Sequence, residues 1–212
     1  MHLVLRSLAA SVLAFALLFV AGCGKTEPSR FYVLSYDHGQ GGDAASTTAR
    51  EGVGIGVGPV ELPQYLDRPH VVTRSSDNKL ELAEFDQWGG NLEDNFGQVL
   101  AENLSFELST DRVSVYPWKA SAPIEYQVTV QVTAFEVDGE GDCQLDVRWS
   151  IVDQEARRVL VMARSSYREK VGPEGGGPEG ITGYEAVAAA MSRNISNLGR
   201  DIAAKIKALS GQ

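Results

Sequence analysis

Three consecutive segments in the second half of the chain constrain the fold more than anything else in it. Tyr126 to Asp138 alternates Tyr126, Val128, Val130 and Val132 with Gln127, Thr129, Gln131 and Thr133. Cys143 to Asp153 sets Cys143, Leu145, Val147, Trp149 and Ile151 in the same two-residue register, and Val159 to Val171 completes the set. Period two marks strands with one buried and one wetted face. Because the three are joined by turn-rich segments, an antiparallel meander is the natural pairing. Its apolar face needs a cover, and Tyr184 to Leu209 offers one: Ala188, Met191, Ile195, Leu198, Ile202, Ile206 and Leu209 form a single helical stripe, with Arg193, Arg200, Asp201, Lys205 and Lys207 elsewhere. A second cover follows from Trp88, Leu92, Phe96, Val99, Leu100, Leu104 and Leu108, which recur at three and four and predict a helix from Asp86 to Ser109, with Asp86 or Asn91 as its cap. The expected class is α/β, a mixed and largely antiparallel sheet layered with two long helices.

The remaining strand signals come earlier. Arg30 to Tyr36 reads as a first strand and Asp37 to Gly52, rich in Gly, Ser, Thr and Asp, as a loop. Val53, Ile55 and Val57 alternate with Gly54, Gly56 and Gly58. A phosphate loop would need a helix directly after such glycines, whereas Pro59 to Pro63 follows, so this is a strand whose bare face suits close approach by another element. Val71 to Arg74 and Lys79 to Ala83 flank Ser75 to Asn78 as a hairpin. Arg112 to Pro117 is a short strand, and Gly172 to Gly183 is a glycine-rich loop.

The N-terminus is a targeting segment, residues 1–22. Arg6 supplies a basic start, and the uncharged run from Leu8 to Val20 is 13 residues long, short of the ~20 that cross a bilayer as a helix. The run ends in Val20-Ala21-Gly22-Cys23, which looks like the lipobox of bacterial lipoproteins, with Cys23 as the acylated first residue of the mature chain. One acyl chain holds a protein only marginally, while two or three hold it stably. By resemblance to lipoproteins of diderm bacteria, Gly24 in place of Asp favours the outer membrane. Residues 23–29 form a polar tether, the stretch up to Arg30 reaching about 20 Å when extended, ahead of a single domain from 30 to 212.

Charge and motifs exclude several functions. With 19 Lys and Arg against 28 Asp and Glu, the net charge of −9 disfavours nucleic acid and leaves the lipid as the anchor. Two cysteines and three histidines leave no metal-ligand cluster, so no metal and no cofactor is expected. Cys143 reads as a small buried hydrophobe. Gly24-Lys25-Thr26 lacks the upstream glycine of a phosphate loop, and there is no G-x-S-x-G, H-E-x-x-H or C-x-x-C. The expectation is a protein that is not an enzyme.

What the chain offers instead is aromatic and mixed polar segments at element ends. Val57 to Pro69 places Tyr65, Leu66, Asp67 and Arg68 between stiffening prolines; Glu84 to Trp88 opens the first helix; Tyr116-Pro117-Trp118 ends a strand. Tyr65, Leu66, Asp67, Arg68, Trp88 and Trp118 are therefore candidates for binding a partner. The aromatic residues serve equally well as caps of the core, with Arg68 paired to Asp67 or Asp86.

These segments carry a resemblance to the PqiC/YmbA-type lipoproteins, auxiliary components of ABC-type and MCE-type intermembrane transport. It rests on the lipobox at Cys23, Phe31-Tyr32-Val33-Leu34, the stretch Val57 to Pro69 with its V-x-x-P-x-Y-L-D-R-P core, and Trp88 with Leu92 and Phe96. It continues through Val113 with Tyr116-Pro117-Trp118, the strand from Tyr126 to Phe135, Trp149 and the last helix. The resemblance implies a fold similar to anticodon-binding and TolB N-terminal domains. It also implies a place on the periplasmic face of the outer membrane, and a docking role toward an MCE-domain tunnel protein and inner-membrane transporter subunits that convey phospholipid and support envelope integrity. A ring-like homo-oligomer would suit a tubular partner. Two other readings stay open: a lipoprotein that holds lipid in its own cavity, framed by Val53 to Gly58, and an envelope-assembly lipoprotein without a transport role.

Overall fold

A computed structural model describes residues 27–36, 52–119, 121–172 and 183–211. The signal segment, Cys23, most of the loop from Asp37 to Gly52 and most of that from Gly172 to Gly183 lie outside the described residues.

Eight strands and two helices are described: β1 (Arg30–Tyr32), β2 (Ile55–Glu61), β3 (His70–Ser76), β4 (Lys79–Trp88), α1 (Leu92–Leu108), β5 (Val113–Val115), β6 (Tyr126–Val137), β7 (Asp142–Asp153), β8 (Arg158–Lys170) and α2 (Tyr184–Ser210). All strands belong to one mixed sheet. The long ladders, β6 with β7, β7 with β8 and β3 with β4, are antiparallel; β1 on β4, β5 on β2, and both β2 and β3 on β6 are parallel. The predicted meander and the α/β class are thus what the chain adopts.

Strand β6 is the junction. Along its whole length β7 occupies one edge, so β2, paired at Tyr126 to Gln131, and β3, paired at Val137, share the other edge end to end. A register shift between Val132 and Ala134 turns β6 over, so that Val128, Val130 and Val132 before it and Phe135 and Val137 after it all enter the core.

Both helices lie on one face of the sheet and bury Phe96, Leu100, Leu104, Met191, Ile195, Leu198, Ile202 and Ile206 against it. Phe96 meets Phe135 edge to face at 5.4 Å. The helices approach closely because Gly199 faces Asn103, where an added Cβ would come within 3.0 Å of the Asn103 Cβ. Asn103 answers its own burial by donating to the Val99 carbonyl at 2.8 Å.

Several boundaries differ from expectation for identifiable reasons. The first helix starts at Leu92, capped by Asn91, whose Oδ1 accepts the Asp94 amide at 3.0 Å; Asp86 is not a cap. Asp86 and Trp88 belong to β4, and the four-residue step from Trp88 to Leu92 imitates a helix across the Gly89-Gly90 break. The hairpin strands are longer than predicted, and β1 stops at Tyr32 rather than Tyr36. Strand β2 runs on through Pro59 to Glu61, with a register shift between Val57 and Val60 where proline has no N–H to give the ladder. Leu209 leaves the helical stripe and is exposed.

Candidate functional site

The bare face of β2 is filled, not open. A Cβ on Gly54 would lie 1.8 Å from the Pro123 carbonyl oxygen, and one on Gly56 would meet Ile124 at 2.9 Å and Trp118 at 3.1 Å. The segment that follows β5 therefore lies directly on these glycines. This bears out the expected close approach and overturns the reading of Val53 to Gly58 as the frame of a lipid cavity. At Gly58, φ is +121°, a conformation that side-chain-bearing residues rarely adopt, and its carbonyl accepts from Gln127 Nε2 at 2.8 Å.

The segment between β2 and β3 folds into a single 3-10 turn, Gln64–Leu66. Leu66 is buried and half-buried Tyr65 points inward, its hydroxyl donating to Glu136 Oε2 at 2.8 Å. Arg74 Nε donates to Glu136 Oε1 at 2.7 Å, the Phe135 amide donates to Oε2 at 2.8 Å, and the guanidinium lies 5.9 Å from the Tyr65 ring centre. Burial, then the bond to Glu136, drives the Tyr65 phenol well above its ordinary range. Glu136 is 2% exposed, so this carboxylate is a structural clasp that fixes the turn on the sheet.

Gln64 of the turn and Asp67 and Arg68 after it are exposed to solvent. With Leu62, Pro69 and the stretch from Gly90 to Glu93 that leads into α1, Asp67 and Arg68 line a cleft of about 280 Å3. Arg68 pairs with neither Asp67 nor Asp86. Trp88 is buried, and its amide donates to the Pro69 carbonyl at 2.7 Å, tying the end of β4 to the residue before β3. Trp118 sits elsewhere, half-buried over Gly56 and edge to face with exposed Tyr116 at 5.4 Å. The six candidate side chains thus divide between two places. Asp67, Arg68 and Trp118 reach the surface, while Tyr65, Leu66 and Trp88 hold the scaffold.

A second clasp fastens the start of the domain. Asp86, 4% exposed, accepts Arg30 Nε at 2.7 Å and Nη2 at 3.0 Å, together with the Tyr32 hydroxyl at 2.8 Å. Burial and then the bond to Asp86 push the Tyr32 phenol up to about 12. Tyr32 also packs near Tyr184 at the head of α2, with ring centres 6.2 Å apart. Any pull arriving through residues 27–29 is therefore taken by a bidentate ion pair and a ring contact rather than by a fraying strand end.

Cys143 is fully buried, and burial pushes its thiol up to about 12. Asn194 Nδ2 donates to both its carbonyl and its sulfur. Among the described residues no three His, Cys, Asp or Glu side chains come together as a metal site, and no helix is long and apolar enough to cross a membrane.

The described residues form a two-layer α/β domain fastened at its N-terminal strand. The chain belongs to the family described as ABC-type transport auxiliary lipoprotein component, which matches residues 32–203. Among solved structures it is similar to an uncharacterized protein, with a TM-score of 0.64 and 18% identity over 85% of this chain and 99% of that one. It is also similar to protein XCC0632 from Xanthomonas campestris, with a TM-score of 0.58 and 12% identity over 85% and 93%. At these identities the likeness shows the fold. No curated protein matches the chain in sequence.

Proposed function

We propose that this auxiliary lipoprotein is anchored through acylated Cys23 to the periplasmic face of the outer membrane. There it acts, without catalysis, as the docking component of an MCE-type intermembrane phospholipid transport system that supports envelope integrity. Membership of the transport-auxiliary family is the observation that carries this reading. It is supported by the six residues between Cys23 and β1, which keep the domain within about 20 Å of the membrane face. The Arg30–Asp86–Tyr32 clasp, which begins where that tether ends, adds to it.

In this arrangement Asp67, Arg68 and Trp118 contact the tunnel protein, and self-association into a ring gives that protein a matching mouth. The test is crosslinking in cells followed by identification of what is captured. An MCE-domain protein is recovered with the natural chain and lost with Cys23→Ser, while metabolic palmitate labelling disappears in the same variant. Capture that is indifferent to Cys23→Ser overturns the anchor. Failure to recover any MCE-domain protein overturns the transport role.

A further inference from the structure

The sheet face away from the helices carries an arrangement that the docking reading does not use. Arg148 on β7 and Arg164 on β8 stand directly opposite each other as a cross-strand pair, both exposed. Among the described residues neither forms an ion pair or a side-chain hydrogen bond, although every other arginine or lysine on β7 and β8 beyond Arg158 has an acidic partner: Arg168 holds Asp138 and Lys170 holds Asp142. Like charges placed opposite each other destabilise a sheet. A chain with nine excess negative charges nevertheless keeps two unneutralised guanidiniums side by side.

They border an open groove of about 520 Å3, a size that suits a small ligand. Its polar lining includes Gln131, whose Nε2 donates to the Glu61 carboxylate of the same lining at 3.4 Å, and the Thr129–Ser150 hydroxyl pair, which are 2.7 Å apart. Its apolar lining includes Pro59 and Met162, the latter 79% exposed. Fork-shaped donors match an oxyanion bidentately, and a bare Met beside them gains only when an apolar group covers it.

We propose that this groove binds one anionic lipid monomer, with its phosphate between Arg148 and Arg164 and its acyl chain over Met162 and Pro59. A ligand with a single charged headgroup suits the site better than an acidic protein segment, because every further negative charge meets the repulsion of the acidic body around it. The inference deepens the function proposed above and rests on it for the supply of lipid.

The experiment is native mass spectrometry of the purified acylated chain, released from a nonionic detergent and titrated with dihexanoyl phosphatidylglycerol. Dihexanoylglycerol and inorganic phosphate are the comparison probes. A single adduct is expected for the phosphatidylglycerol at concentrations where neither comparison probe binds. The double variant Arg148→Gln/Arg164→Gln weakens it at least tenfold, as does Met162→Asp. Both variants keep the natural unfolding midpoint or exceed it, since the substituted side chains are exposed and unpaired. Equal adduct formation by the double variant overturns the proposal, as does equal affinity for inorganic phosphate, which would leave a bare anion site. These outcomes are read without any partner protein, so they are separate from the capture experiment that tests the docking role.

Discussion

The two faces of the β6–β7–β8 meander share one backbone and differ in almost everything else. On the helix side, Val128, Val130, Leu145, Val147 and Ile151 are buried in the one core cluster that also holds the apolar residues of α1 and α2. On the other side, Thr129, Gln131, Arg148 and Arg164 line an open groove, and the end near β3 is closed by the Tyr65–Glu136–Arg74 clasp. The first face carries the stability of the domain. The second is free to carry recognition, because changes there leave the core untouched.

That contrast can be broken or sharpened by substitution. Phe135→Ala, which removes a fully buried ring from the covered face, should cost about 4 kcal/mol in urea unfolding. Glu136→Ala, at the closed end of the other face, should cost about 3 kcal/mol, because it leaves the Arg74 guanidinium and the Tyr65 hydroxyl without their acceptor. If it cost as little as an exposed substitution, the clasp would not be structural.

Gly56→Ala should cost about 2 kcal/mol by pushing Ile124 and Trp118 off the sheet, and the shift should register in Trp118 fluorescence. Cys143 links the covered face to pH. Folding raises its pKa from 9.0 to about 12, so its contribution is complete below pH 9 and is lost as pH rises through the folded value. At pH 10 the contribution is already lower by about 1 kcal/mol. A thiol reagent at pH 8 should leave Cys143 unlabelled until denaturant is added. Smallest of all, Met162→Thr on the open face should shift stability by less than about 0.5 kcal/mol.

Much of this was legible in the sequence because burial writes itself as period. The meander, the α2 stripe and the glycine face of β2 needed no more than alternation and spacing. Legibility failed where period and pairing part company. The turnover of β6 after Val132 puts both Phe135 and its neighbour Glu136 out of water on opposite faces, and no alternation rule marks Glu136 as buried. The adjacent apolar pair Ala134-Phe135 is the one local hint. Asp86 looked like a helix cap because its partners, Arg30 and Tyr32, lie more than fifty residues away. The candidate segment from Tyr65 to Arg68 was found by its prolines and mixed polarity, yet which of its side chains turn inward depends on Glu136 and Arg74, contributed by other strands. Arg148 and Arg164 became visible as a pair only once the β7–β8 register was known.

Strand β6 is spliced to three neighbours, with β2 and β3 laid end to end along a single margin and β7 along the other. A domain built this way has no seam. The half that begins with β2 cannot detach from the half that begins with β3 without tearing the strand they have in common. Amide protons along β6 should therefore be among the last to exchange with solvent, and the lipoprotein should unfold as one cooperative body even though its sheet is assembled from two separately connected halves.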